Sequence, residues 1–110
     1  MVTVSAARKI LLALPDTEEK AHLGHPDFRV NNRIFASLAP SKNKKKVVVV
    51  KLSPANQTAV MQIDPDAYSL NGWSRQGWTN VHLDKVTPTR FRTIAQESWT
   101  TVSSGQKRAS

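Results

Sequence analysis

His22, His25 and Asp27 lie close together in the sequence and carry side chains that suit a divalent metal, since imidazole nitrogen and carboxylate oxygen are both common ligands. Their spacing argues against a site. Along a strand, a separation of three puts the two histidines on opposite faces, and Gly24 between them introduces a turn. No metal and no cofactor are expected. Nucleophilic catalysis is no better provided for. Serines and threonines are frequent, but there is no Gly-x-Ser-x-Gly elbow, no glycine-rich phosphate loop and no pair of acids set in apolar sequence. Asp64 and Asp66 flank Pro65 in what reads as a solvated turn. The chain has no cysteine, which excludes disulfides, thiolate metal ligands and cysteine nucleophiles together. A non-enzymatic protein is expected.

Phosphate contact is the chemistry that the residue types do support. Sixteen Lys and Arg against eight Asp and Glu leave a formal charge of +8, and the sequence pI is near 10.3. Such a balance favours polyanionic partners. Lys42, Lys44, Lys45, Lys46 and Lys51 fall in ten residues without an acid, so the electrostatic footprint should centre there. We expect Lys42, Lys44, Lys45 and Lys46 to contact DNA phosphates from a hairpin tip, with Arg29, Arg33 and Arg75 extending the surface. A charged tip also protects a neighbouring apolar strand from edge-to-edge pairing. Trp73, beside a turn and near Arg75, is placed either to stack on a base or to cover the edge of the sheet. Trp78 and Trp99 read as structural. No asparagine- or glutamine-bearing recognition helix is evident, so binding should be sequence-tolerant.

The elements that must hold these residues follow from periodicity and turn chemistry. Val4, Ala7, Ile10, Leu11 and Leu14 recur at helical spacing, and Pro15 stops the pattern, giving a helix over 3–14. Residues 17–23 alternate weakly and read as short strand or extended connection. The segment 28–30, the positive-φ-tolerant pair Asn31-Asn32 and residues 33–38 read as a hairpin, with Ile34, Ala36 and Leu38 on one face and Phe35 on the other. Four consecutive valines within 45–52 mark the firmest strand, expected to be central and buried on both faces. Ser53-Pro54 and Thr87-Pro88 each have the form of a helix cap followed by proline at the first helical position. They open a short helix over 54–62 and a closing helix whose stripe is Phe91, Ile94, Ala95, Ser98, Trp99 and Val102. Between these helices lie a brief strand over 67–70 and a strand over 78–83, the latter with Val81 and Leu83 on one face and Trp78 and His82 on the other.

The resulting order, α-β-β-β-α-β-β-α, indicates an α+β domain of two layers, an antiparallel sheet covered by helices. At 110 residues, with 39% of them hydrophobic, the chain suits one domain with one core, over 1–103 with a disordered tail over 104–110. The longest apolar runs, 10–14 and 47–50, are far short of the roughly 20 residues that cross a bilayer. The apolar stretch after Arg8-Lys9 ends in Pro15-Asp16 rather than a cleavage site, so a cytoplasmic location is expected.

Several segments together resemble the MmcQ/YjbR family. They are Leu14-Pro15, Glu18-Glu19-Lys20, the run His25-Pro26-Asp27-Phe28-Arg29-Val30, Arg33-Ile34-Phe35-Ala36, the strand from Gly77-Trp78 to Val81-His82-Leu83-Asp84, and a closing helix. The resemblance runs from about Ser5 to Val102 and rests on short matches in the right order. It implies a two-layer domain similar to the secretion chaperones and to bacterial frataxin, with a DNA-binding role through a double-wing arrangement. Where many members carry Gly-Lys before Ile-Phe-Ala, this chain has Asn32-Arg33, and the lysine loop at 42–46 is its own addition. The expectation is a DNA-binding or regulatory domain, monomeric or weakly dimeric. The alternative is a protein-interaction module that docks a protein partner on its open sheet face.

Overall fold

The computed structural model describes residues 2–22, 25–39, 46–72 and 74–108. Helix α1 (Val4–Leu12) is capped by Thr3, whose hydroxyl accepts from the Ala6 N–H. Asp16, at φ 54°, turns the chain into β1 (Thr17–His22). Three further strands follow, β2 (His25–Val30), β3 (Arg33–Ala39) and β4 (Val47–Lys51). Ser53 caps α2 (Pro54–Ile63), β5 is Tyr68–Leu70, and β6 (Trp78–His82) precedes the closing helix α3 (Pro88–Arg108). The expected α+β class is confirmed. The stretch that alternates weakly at 17–22 is a full strand, so four strands, not three, precede α2. Turn residues alone cannot distinguish an edge strand from an extended connection.

All strands join one antiparallel sheet of order β1-β2-β3-β4-β6-β5. The Asn31-Asn32 turn has φ 53° and 65°, the two-residue hairpin geometry its residue types favour. Helix α3 lies across β3 and β4 and also meets α1. Its Phe91, Ile94 and Ala95 are buried against Phe28, Val48, Val50 and Val81 of the sheet. The helical backbone continues to Arg108, past the last apolar stripe residue at Val102, because extending a formed helix costs little compared with starting one.

Two face assignments change. Strand β4 is central, but only Val48 and Val50 are fully buried. Val47 and Val49 are half-exposed on the uncovered face, because the helices cover one side only. In β3, Phe28 pairs with Ala36 and Arg29 with Ile34, leaving Phe35 as an extra residue in a β-bulge. A bulge turns two successive side chains toward one face. Phe35 and Ala36 are accordingly both buried in the core, and Ile34 pairs with Arg29 on the uncovered face.

The bulge is secured by Ser98 of α3. Its buried hydroxyl donates to the Phe35 carbonyl at 2.6 Å and accepts from the Lys51 N–H at 3.0 Å. One side chain thus bridges β3 and β4 just beyond Ala36 and Val50, the last pair of their ladder at this end.

Candidate nucleic-acid interface

The turn at 31–32 sets Arg33 as the first residue of β3, next to the end of β4, where Lys51 pairs with Trp78 of β6. Gly77 makes that pairing possible. Its φ is +99°, and a Cβ there would lie 2.2 Å from the Leu52 carbonyl oxygen, so only glycine fits. The Leu52 N–H donates to the Gly77 carbonyl at 2.9 Å, which ties the start of β6 to the end of β4. An open groove of about 640 Å³ results, between this end of the sheet, the start of α2 and the later turns of α3. Arg29, Arg33, Lys51 and Trp78 line it over a floor that includes Leu52 and Val102, and no acidic residue is among its described lining.

The cations differ in how free they are. Asp27 is 1% exposed and holds Arg29 with two hydrogen bonds, Nε to Oδ1 at 2.9 Å and Nη2 to Oδ2 at 3.2 Å. Both residues alternate onto the uncovered face of β2. The hydrogen bonding with Asp27, reinforced by its charge and that of Glu18, raises the Arg29 pKa above its ordinary value. Arg29 therefore brings donors to the groove but little uncompensated charge. Arg33 and Lys51 pair with no acid among the described residues. The Lys51 ammonium sits over the Trp78 ring, 5.5 Å from its centroid.

Arg29 and Arg33 thus come together as expected, joined by Lys51 and Trp78. Arg75 is exposed in the 3-10 turn Ser74–Gln76 at the same end of the sheet. Lys46 does not join them. It precedes β4 at the opposite end, about 17 Å along the strand from Lys51 at the usual rise. Successive hairpin tips of a meander point to opposite ends, so Arg29 and Arg33 lie at the other end of the sheet from Lys46. Lys42, Lys44, Lys45 and Trp73 lie outside the described residues.

The metal candidates are also resolved. His22 and His25 are register partners across the β1–β2 hairpin. Asp27 is committed to Arg29. The described residues contain no group of three or more His, Cys, Asp or Glu placed to hold a metal ion.

A polar ladder on β5 and β6 escaped the sequence reading. Asn71 Nδ2 donates to Asn80 Oδ1 at 2.9 Å, Asn80 Nδ2 donates to Ser69 Oγ at 3.1 Å, and Ser69 Oγ lies 2.8 Å from His82 Nε2. Alternate residues on paired strands produce it, and only the register reveals it. A second open groove, of about 430 Å³, lies between α1 and α3 and is flanked by Lys9 and Arg92, but it has no aromatic side chain. Trp99, on the α3 stripe, is half-buried and donates from Nε1 to the Pro15 carbonyl at 2.9 Å, consistent with a structural role.

Comparison with known proteins follows the same geometry. The family model YjbR matches residues 12–101. Protein DR2400 of Deinococcus radiodurans, whose domain is DUF419, has a similar crystal structure, with a TM-score of 0.78 at 20% identity, covering 93% of this chain and 79% of that one. No curated protein matches the sequence.

Proposed function

The chain belongs to the YjbR family, and from that premise we propose that it is a non-enzymatic DNA-binding or regulatory domain that holds the phosphate backbone. The observation that carries this reading is the groove in which Arg33 and Lys51 have no acidic partner among the described residues and Arg29 offers its remaining N–H donors. Lys46 supplies a second contact from the other end of the sheet. Arg and Lys donors are the commonest phosphate contacts, and no recognition helix accompanies them among the described residues of this groove, so binding is sequence-tolerant. The uncovered face interleaves Arg29, Lys51, Asn80 and His82 with the half-buried Ile34, Val47 and Val49, so its cations stand beside apolar side chains.

The test is fluorescence anisotropy of a labelled mixed-sequence duplex titrated at several salt concentrations. Each phosphate contact contributes roughly −0.9 to the slope of log affinity against log salt. The Arg33→Ser/Lys51→Ser variant should therefore lose roughly 1.8 of that slope. A slope unchanged in this variant would remove the groove from the interface.

A further inference from the structure

The groove holds more than a phosphate site requires. Trp78 is half-exposed and lines it beside the cations, with the Lys51 ammonium 5.5 Å from its ring centroid. Asn32 and Gln76 add exposed amides at the rim. In a duplex the base faces are already stacked and an indole has nothing to cover, whereas in a single strand an unpaired base can leave the stack and lie against it. The concavity points the same way. A groove of about 640 Å³ falls within the range of small-ligand sites and is large enough to take in a base.

We propose that this groove is a subsite for an unpaired nucleotide of single-stranded DNA, its base against Trp78 and its flanking phosphates on Arg33, Lys51 and the free donors of Arg29. The inference rests on the phosphate-binding reading above and adds a preference for single strands. Lys51 serves both parts of the nucleotide, since its ammonium lies over the indole and within the cationic wall. The amides of Asn32 and Gln76 reach base edges from the rim without fixing one base.

Anisotropy titrations with labelled oligothymidine and with a duplex of equal length, at one salt concentration, test it. The wild type should bind the single strand more tightly than the duplex. Trp78→Leu should lower single-strand affinity about tenfold, as loss of one base–aromatic stack does, and reduce the ratio of single-strand to duplex affinity. Trp78→Phe, which keeps an aromatic face, should restore most of the ratio, and thermal melts of both variants identify any loss of fold. A wild type that favours the duplex, or a ratio that Trp78→Leu leaves unchanged, overturns the subsite while leaving the phosphate reading in place. Binding of neither DNA beyond that of the Arg33→Ser/Lys51→Ser variant overturns both.

Discussion

Tyr68 is 1% exposed, and its hydroxyl has no hydrogen-bond partner among the described residues. Burial raises its pKa above the ordinary 10.0, with Arg90 partly opposing the shift. The sign follows from linkage. The folded protein retains this proton more strongly than the unfolded chain, so the contribution is fully present below about pH 10 and is lost as pH rises through the folded value. Tyr68→Phe should gain about 1 kcal/mol at neutral pH, because an orphaned polar atom leaves the core. Its stability should also fall less steeply with pH than that of the wild type above pH 10, the baseline value of this group, in urea titrations at stepped pH. Ser98 is the opposite case, since its hydroxyl is partnered on both sides. Ser98→Ala strands the Phe35 carbonyl and the Lys51 N–H, and should cost about 2 kcal/mol in the same titration. The sequence placed Ser98 on the buried stripe but could not show its partners, which lie 63 and 47 residues away.

At the scale of elements, two turns make contrasting predictions for glycine. Asn32 sits at φ 65° in a hairpin turn where Asn-Gly is a preferred pair, so Asn32→Gly should leave stability unchanged or raise it by up to about 1 kcal/mol. Gly77→Ala should lose more than about 1 kcal/mol, because the added carbon meets the Leu52 carbonyl oxygen and the backbone is left-handed. Chemical denaturation of the two variants checks both. The caps at Ser53 and Thr87 and the Asn31-Asn32 turn were legible in the sequence because each is settled within four residues by local hydrogen bonding and φ preference. The bulge at Phe35 was not. It depends on which residue of β2 faces which residue of β3, and an alternating pattern assumes the register that the bulge breaks.

Over the whole molecule, the net charge of +8 was readable from composition, but the separation of Lys46 from the cations of the groove was not. Chain order put Arg29, Arg33 and Lys46 in one neighbourhood, whereas the meander sends alternate hairpin tips to opposite ends. The groove needs β3, β4, β6, α2 and α3 in place together, so Lys51 and Trp78 could be named individually but not as neighbours. The two ends are separated by about 17 Å, beyond the screening length of about 8 Å at physiological salt. Lys46→Ser should therefore reduce the salt slope by roughly 0.9 whether or not Arg33 and Lys51 are present, and the combined variant should show the sum. A salt-series titration of the three proteins measures that additivity. The strand order also sets a sequence of events in folding. Strands β1 to β4 pair with their chain neighbours, so their contacts close short loops and form early, whereas β6 must insert between β4 and a β5 that precedes it. The helix that covers the meander follows every strand in the chain. A chain growing from its N-terminus therefore has its first four strands complete before α3, which covers their apolar side, is available.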